Sequence, residues 1–327
     1  MKSVSTTTAA SFTAPAQIAL GEVSLGEVAL SEIPVTTRMT ARLADYATLG
    51  KPRIAVMSLV VVAAGYALGR SEVGVAAPLI HALIGIALVA ISSSALNQVF
   101  ERVTDGLMKR TVNRPLPAGR LSSGEALTFG AVCGVAGVGY LLAFVNQPTA
   151  VWSGITLVLY AFVYTPLKRV LPLATAIGAI PGAMPPVLGW LAAGRSIDVG
   201  AFALFGILFL WQFPHFLAIA WIYREDYARA GLKMLPTRTE IPRVTGTLAF
   251  AYSVALLPIS LFPSFCGLAG RAYLVGALLL SLWYLAASLR FALVEERDSA
   301  RMVLRTSLVY LPALLALLVW DHYRLLG

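Results

Sequence analysis

The fold is decided by residues 76–96, AAPLIHALIGIALVAISSSAL, a run without Asp, Glu, Lys or Arg that leads directly into NQVFERVTDGLMKRTVNRPLPAGR at 97–120. A helix needs about 20 apolar residues to cross the hydrocarbon core of a bilayer. Lipid offers the backbone no hydrogen-bond partners, so a run of this kind must be helical rather than an open strand. This stretch therefore predicts a transmembrane helix whose end carries a dense group of polar side chains.

The same apolar pattern recurs along the chain. Hydrophobic residues make up 58% of the 327 residues and charged residues only 13%, well below the roughly 25% of soluble domains. The charges cluster and leave nine apolar stretches, at 54–69, 76–96, 126–145, 149–167, 172–194, 199–222, 245–266, 272–289 and 303–320. We therefore predict an all-α polytopic membrane protein with nine transmembrane helices.

The positive charges indicate how the chain is oriented. With nine spans, 21 of the 25 Lys and Arg residues fall on the side that holds the N-terminal segment, and 4 fall on the other side. Loops rich in Lys and Arg stay in the cytoplasm. We predict a multi-pass protein of the cell membrane with a cytoplasmic N-terminus, an external C-terminus and cytoplasmic polar loops.

The N-terminal segment differs in composition from the rest of the chain. Residues 1–37 are rich in Thr, Ser and Ala and contain no long apolar run. Such a segment cannot bury enough apolar surface to fold alone. We expect a disordered cytoplasmic tail at 1–37 and a nine-helix membrane domain at 38–327.

The net charge of +9 does not indicate nucleic-acid binding. The basic residues lie on one predicted face without the interleaved aromatic side chains that stack bases. Membrane topology and attraction to the anionic lipids of the bilayer explain most of this charge. No nucleic-acid partner is expected.

Two long polar loops on the predicted cytoplasmic face hold the residues that can carry chemistry. In the first, Asn97, Glu101 and Asp105 are spaced i, i+4, i+8 and share one helix face if the preceding helix continues. Their oxygens suit a hard cation such as Mg²⁺. The basic residues Lys109, Arg110 and Arg114, which pair well with phosphate, follow directly.

The second loop, YREDYARAGLKMLPTR at 223–238, places Glu225 and Asp226 among basic residues. A polar row at a helix end is more often a solvated face, and Lys or Arg beside a span is by default a topology signal. Acids and bases together on two loops of one face are nevertheless what a metal-bridged diphosphate requires.

The segment from Asn97 to Arg120, of the form NxxxExxxDxxMxRTxxRPLPxGR, resembles the first signature of the UbiA superfamily of intramembrane prenyltransferases. Its ending is similar to the protohaem IX farnesyltransferase branch. Further matching segments are KPRI (51–54), YTPLKR (164–169), GAMPPVLGW (182–190), WQFPHF (211–216) and YREDYxxAGxxMLP (223–236). The resemblance covers residues 45–320 and implies the nine-helix bundle of that family.

The resemblance implies a prenyl transfer reaction. Its substrates would be farnesyl diphosphate and protohaem IX (haem B), with Mg²⁺ as cofactor, and the product would be haem O. The implied Mg²⁺ ligands are Asn97, Glu101, Asp105 and Asp226. The implied diphosphate-binding residues are Lys51, Arg53, Lys109, Arg110, Arg114, Lys168 and Arg169. Downstream partners would be a haem A synthase or a haem-copper oxidase.

Aromatic and histidine side chains complete the expected site. Tyr164, Tyr223 and Tyr227 can stabilise an allylic cation through their ring faces, although aromatic residues at a membrane interface equally serve as anchors. His215 precedes Asp226 by 11 residues, a rotation of about 20° on a continuous helix. We therefore expect His215 on the catalytic face as a ligand of haem iron, with a plain helix-to-helix hydrogen bond as the alternative.

The sequence leaves two other functions open. A UbiA-type enzyme that prenylates a quinone or chlorophyll-type acceptor would share the Mg²⁺ site and differ in the acceptor pocket. A transporter of a lipophilic solute would place charges or broken helices near the membrane midplane, often with internal repeats. The predicted spans lack midplane charges, which disfavours the transporter.

Overall fold

A computed structural model describes residues 35–70, 77–167, 174–232, 235 and 243–326. The chain divides into two units, Met1–Ala41 and Arg42–Gly327, and the bundle discussed below belongs to the second. The prediction for the N-terminal tail falls mostly on residues 1–34, which lie outside the described residues. The first described helix begins at Val35.

Every regular element among the described residues is helical, as the composition predicted. The helices are α1 (Val35–Leu49), α2 (Pro52–Gly69), α3 (Ala77–Gly106), α4 (Ser123–Phe144), α5 (Gln147–Val158), α6 (Ala174–Ala192), α7 (Val199–Ile222), α8 (Arg224–Arg229), α9 (Val244–Phe265), α10 (Arg271–Leu293) and α11 (Arg297–Leu326). Helix α5 continues as a π-helix over Leu159–Tyr164 and as a final α-helical turn over Thr165–Leu167.

Nine helices in the described part of the chain are long and apolar enough to cross a membrane, which confirms the predicted number of spans. They are α2, α3, α4, the combined segment Gln147–Leu167, α6 from Thr175, α7, α9, α10 and α11. In the most apolar 18 residues of each span, between 22% and 61% are buried inside the protein. The remaining apolar surface is available to lipid tails.

Polar side chains at helix starts explain several helix boundaries. Ser122 accepts a hydrogen bond from the Glu125 backbone N–H while the Glu125 carboxylate accepts one from the Ser122 N–H, a capping box that begins α4. Asn146 caps α5 and Asp198 caps α7 in the same way, by accepting from backbone N–H groups of the first turn. These caps fix the residue at which each of the three spans begins.

Helices α2 and α6 approach each other through glycine. A Cβ atom added at Gly65 would lie 2.0 Å from the Pro186 carbonyl oxygen, and one added at Gly189 would lie 2.0 Å from that of Val62. Small residues allow helix backbones to come this close in a membrane, where packing replaces the hydrophobic effect. This contact ties the first span to the centre of the bundle, because α6 also packs against α7.

Helix α3 is the element that positions the polar segment of the sequence. Its 30 residues span about 45 Å at 1.5 Å per residue, more than the roughly 30 Å of a hydrocarbon core. The helix therefore continues without interruption from the apolar run into the polar row and ends at Gly106.

Candidate active site

The three polar residues at the end of α3 form one row, as the spacing predicted. Asn97, Glu101 and Asp105 are 2%, 9% and 1% exposed, although they occupy the polar end of the helix. A buried carboxylate is costly unless it is paired with a cation or with hydrogen-bond donors. The row is therefore not a solvated helix face, the alternative that the spacing alone left open.

Two cations hold the ends of this row. The Lys51 ammonium donates to Asn97 Oδ1 at 3.3 Å, and the Arg114 guanidinium pairs with Asp105 Oδ2 at 2.7 Å. The Thr111 hydroxyl donates to the Asp105 carbonyl oxygen at 2.8 Å, which fixes the loop that carries Arg114. The structure thus brings Lys51 and Arg114 together with the row, although Lys51 is far from it in the sequence.

Lys51 has an unusual backbone conformation at the turn before α2. Lys51 is the residue before α2 and has φ 48° and ψ 61°, a left-handed conformation that is unfavourable for a residue with a Cβ. The buried Gln98 amide donates to the Leu49 carbonyl oxygen at 2.8 Å and so fixes the turn between α1 and α2. This hydrogen bond therefore holds the backbone two residues before Lys51.

The electrostatic surroundings of Lys51 reflect a cluster of cations. Removal of the ammonium from water lowers the pKa of Lys51 from 10.5 to about 8, Arg114 and Arg110 contribute to this lowering, and Asp105 opposes it. The charges of Arg110 and Arg114 thus act on Lys51, while Arg114 is itself paired with Asp105. A group of cations of this kind is the environment that a polyanion such as a diphosphate would require.

The second polar loop contacts the first through aromatic side chains. The Arg110 guanidinium lies over the Tyr223 ring, 5.1 Å from its centroid. Met108 and Tyr227 are buried in one apolar cluster with Ala220, Ala230 and Leu232. Burial raises the pKa of the Tyr227 hydroxyl, and the charge of Arg110 opposes this shift. The predicted meeting of the two loops is therefore present in the structure.

Asp226 lies on the short helix α8, where its carboxylate pairs with Arg229 one turn later. Glu225 is on the same helix but is largely exposed, with 84% of its side chain accessible. The described residues contain no group of three or more His, Cys, Asp or Glu side chains placed to share one metal ion. The role of Asp226 as a metal ligand therefore remains a prediction.

Tyr164 lies on the π-helix that follows α5. Its ring packs so closely on α6 that a Cβ at Gly178 would lie 2.5 Å from it, and its centroid is 5.5 Å from that of Tyr160. π-Helical turns are rare and are frequent at functional sites. The π-helix ends beside Thr165, whose side chain contacts Asn97.

Several predicted diphosphate-binding residues are not held in the cluster. The side chains of Arg53 and Lys109 are exposed and make no hydrogen bond or ion pair within the described residues. Lys168 and Arg169 lie outside the described residues. The structure thus shows contacts for Lys51, Arg110 and Arg114, and diphosphate binding by the other four basic residues stays a prediction.

The expected alignment of His215 with Asp226 depended on a continuous helix, and this condition is not met. Helix α7 ends at Ile222, and Tyr223 leaves the helical conformation with φ −107° and ψ 19°. The His215 imidazole stacks on Trp211, and its Nδ1 lies 2.7 Å from the Ser307 hydroxyl of α11. The helix-to-helix hydrogen bond that was the alternative is therefore present, and haem ligation stays a prediction.

The donor set of the row fits a magnesium ion. Two buried carboxylates and one amide oxygen are hard oxygen donors, and Mg²⁺ is usually held by one or two carboxylates together with substrate phosphates and water. A larger set of protein carboxylates is therefore not required. Asn97, Glu101 and Asp105 are the residues that would hold the ion.

Sequence reasoning missed three residues that position the predicted site. Thr165 and Gln98 make hydrogen bonds that orient Asn97 and the Lys51 turn, and Ser307 holds His215. Thr165 falls within the YTPLKR segment, so its place in the sequence was noted without a role. No local pattern marks Gln98 or Ser307, because their partners are 49 and 92 residues away.

Comparisons with known proteins agree with this architecture. The UbiA prenyltransferase family matches residues 58–318. A relative named protoheme IX farnesyltransferase, from Solibacter usitatus, is 46% identical over 289 residues, which are 86% of this chain and 99% of the relative.

Solved structures share the fold at lower sequence identity. A digeranylgeranylglyceryl phosphate synthase has a TM-score of 0.74 at 16% identity, over 87% of this chain and 99% of the synthase. A UbiA homologue from Archaeoglobus fulgidus, bound to DMAPP and Mg²⁺, has a TM-score of 0.64 at 18% identity, over 86% and 99% of the two chains. With nine membrane helices among the described residues and this family match, the chain belongs to the UbiA prenyltransferase family, in its protohaem IX farnesyltransferase branch.

Proposed function

We propose that this enzyme transfers a farnesyl group from farnesyl diphosphate to the 2-vinyl group of haem B and forms haem O. The observation that carries the proposal is the buried row Asn97, Glu101 and Asp105 with cations at both ends, on a chain 46% identical to a protoheme IX farnesyltransferase. A row that can hold Mg²⁺, flanked by cations, suits a diphosphate leaving group, and the relative's name supports haem as the acceptor.

The chain's own cations assist the departure of diphosphate. As the allylic C–O bond breaks, the bond's electron pair leaves with the diphosphate and the farnesyl group becomes a cation. In this proposal Lys51, Arg110 and Arg114 neutralise the charge that develops on the leaving oxygens, and the electrostatic coupling of the two arginines to Lys51 supports this role. Mg²⁺, when bound at Asn97, Glu101 and Asp105, supplies further neutralisation of the diphosphate. No nucleophilic side chain is needed, because the vinyl group donates the electrons for the new C–C bond.

The aromatic side chains contribute in a different way. Tyr223 and Tyr227 lie beside Arg110 at the junction of the two loops, and Tyr164 lies on the π-helix. Ring faces stabilise cations, and a site closed by these rings keeps water from the farnesyl cation until it reacts. Addition of water to the resulting porphyrin-side cation and loss of one proton complete the hydroxyethyl product.

His215 is proposed to ligate the haem iron through Nε2. Its Nδ1 is held by Ser307, which leaves Nε2 as the nitrogen available to a metal. A histidine that ligates a metal usually donates its other ring N–H to a neighbouring oxygen. The hydrogen bond to Ser307 is thus compatible with ligation.

The proposal extends to cellular context. The positive charge of the loops supports placement in the cell membrane, with the N-terminus and the active-site loops in the cytoplasm and the C-terminus outside. The proposed consumer of the product is a haem A synthase or a haem-copper oxidase. A lipid bilayer surrounds the nine spans.

The decisive experiment is a reconstituted transfer assay. The purified protein is incubated in lipid nanodiscs with haem B, farnesyl diphosphate and Mg²⁺, and the extracted haem is weighed by mass spectrometry. We expect a haem heavier by one farnesyl group and one hydroxyl. Asp105→Asn should reduce the rate by about 100-fold or more while the protein stays folded. Failure of the wild-type protein to modify haem, combined with prenylation of a quinone precursor, would contradict the proposal.

A further inference from the structure

Asn97 differs from the other two members of the row because its side chain has two unlike ends. Glu101 and Asp105 present equivalent oxygens, whereas an amide presents an acceptor at Oδ1 and only donors at Nδ2. Only Oδ1 can bind a cation or accept from the Lys51 ammonium. The orientation of the Asn97 amide therefore decides whether it can serve the site.

The partner of Nδ2 is the hydroxyl of Thr165, which is completely buried. Asn97 Nδ2 lies 3.1 Å from Thr165 Oγ1, and the same Oγ1 lies 2.8 Å from the Tyr160 carbonyl oxygen. A hydroxyl has a single proton, and a carbonyl oxygen can only accept. The proton therefore goes to Tyr160, and Thr165 faces Asn97 with its lone pairs.

The π-helix is the reason why this acceptor is available. In an α-helix a threonine hydroxyl bonds the carbonyl three or four residues earlier. Here both the backbone N–H and the hydroxyl of Thr165 reach Tyr160, five residues earlier, because the π register of Leu159–Tyr164 shifts the carbonyls. The unusual turn thus holds the Thr165 hydroxyl in one orientation.

Lys51 imposes the same orientation from the opposite end of the amide. Its ammonium carries only donors and lies 3.3 Å from Oδ1. A flipped amide would place N–H groups against the ammonium and an oxygen against the lone pairs of Thr165. Both contacts would be lost together.

We propose that Thr165 is a positioning residue that fixes the Asn97 amide with Oδ1 directed to the diphosphate and metal site. The inference rests on the proposed function, because it assumes that Asn97 serves that site. Thr165 itself touches neither substrate nor metal, and it acts through Asn97 alone. Its contribution should therefore disappear when residue 97 has two equivalent oxygens.

The test measures metal binding directly, so that it does not depend on turnover. Mn²⁺ replaces Mg²⁺ and is titrated into the full chain in nanodiscs with the unreactive analogue farnesyl S-thiolodiphosphate, and free Mn²⁺ is followed by electron paramagnetic resonance. We expect Thr165→Val to weaken Mn²⁺ binding about 10-fold, within the usual range for loss of an outer-shell partner. Thr165→Ser keeps the hydroxyl and should stay within about 2-fold of wild type.

A second experiment measures the effect of Thr165→Val on Mn²⁺ binding in the wild-type and in the Asn97→Asp background. In Asn97→Asp the two oxygens of residue 97 are equivalent, so Thr165→Val should weaken Mn²⁺ binding less than about 3-fold there. An equal loss in the wild-type and Asn97→Asp backgrounds would overturn the positioning role. Thr165→Ala, judged in the same way, replaces Thr165→Val if circular dichroism shows that the valine variant does not fold.

Asn97→Ala distinguishes the role of Asn97 in the metal site from the positioning role of Thr165. If it leaves Mn²⁺ binding unchanged, Asn97 is not part of the metal site, and both its assignment and the inference about Thr165 fail. If Asn97→Ala weakens binding and Thr165→Val does not, the proposed site stands and the positioning role of Thr165 is overturned.

Discussion

The Arg110 guanidinium lies 5.1 Å from the centroid of the Tyr223 ring, and this contact joins two loops that are 113 residues apart in the chain. Arg110 follows the polar row of α3, and Tyr223 follows the last residue of α7. A cation–π contact at an exposed site is worth about 0.5–1 kcal/mol, so it can form and open without unfolding the bundle. A bound diphosphate would compete with the ring for the same guanidinium.

Replacement of Arg110 should therefore weaken diphosphate binding and also remove the contact between the two loops. We expect Arg110→Ala to lower kcat/KM for farnesyl diphosphate by about 10- to 100-fold, and Arg110→Lys to recover only part of this loss because an ammonium lacks the planar fork. Steady-state kinetics in nanodiscs measures the effect. Lys109→Ala is the comparison and should cost less than Arg110→Ala even if Lys109 also attracts the diphosphate, because Lys109 is adjacent, exposed and without an ion pair among the described residues. Equal losses in the two alanine variants would show that only the net charge of the loop matters.

Asp226 can be a metal ligand or only the ion-pair partner of Arg229. If it is a ligand, Asp226→Asn should lower the transfer rate by about 100-fold and Arg229→Ala by less than about 5-fold. If Asp226 only stabilises helix α8 through its ion pair, both variants should have the same small effect on the transfer rate, since an exposed ion pair contributes at most about 1 kcal/mol. Rates at limiting and saturating Mg²⁺ distinguish these results. A similar small loss for both variants would remove Asp226 from the ligand set.

His215 provides a spectroscopic prediction. We expect His215→Ala to weaken haem binding and shift the visible spectrum of the bound haem, while the affinity for farnesyl diphosphate stays within about 2-fold of wild type. Ser307→Ala removes the partner of Nδ1 and should give a smaller change in the same direction. Absorption titrations with haem B measure both. An unchanged spectrum in His215→Ala would assign this histidine to the packing of α7 on α11.

Membrane orientation is testable with single cysteines in a background without Cys133 and Cys266. Ala118→Cys and Glu225→Cys are exposed on the two polar loops, and Ile197→Cys lies in the connection between α6 and α7. A membrane-impermeant thiol reagent should label positions 118 and 225 only from the cytoplasm and position 197 only from outside. Labelling of 118 and 225 from opposite sides would exclude a shared active site.

The glycine contact between α2 and α6 predicts a large loss of stability. Gly65→Ala would place a Cβ atom 2.0 Å from the Pro186 carbonyl oxygen, so the helices must separate. Overpacking of this kind costs about 1–3 kcal/mol and should lower the thermal midpoint in detergent by several degrees. Gly139→Ala is the control, because a Cβ there meets no atom within 4 Å. Equal midpoints for the two variants would show that α2 and α6 do not pack as described.

Much of the architecture could be predicted from composition and spacing. Nine apolar runs predict nine helices because a bilayer gives a backbone no other way to satisfy its hydrogen bonds. The row Asn97, Glu101 and Asp105 could also be predicted, since a continuous helix aligns residues four apart whatever surrounds it. Both results follow from local periodicity, which the sequence by itself determines.

Only the tertiary structure decided which distant groups meet the row. Lys51 contacts Asn97 from a left-handed turn before α2, and Thr165 contacts the same amide from the end of a π-helix. The end of α7 at Ile222 likewise removed the expected alignment of His215 with Asp226. Periodicity does not encode such breaks, because they arise where packing between helices outweighs the regular helical hydrogen bonds. The sequence determined the spans and the polar row, and packing determined the orientation of the groups around them.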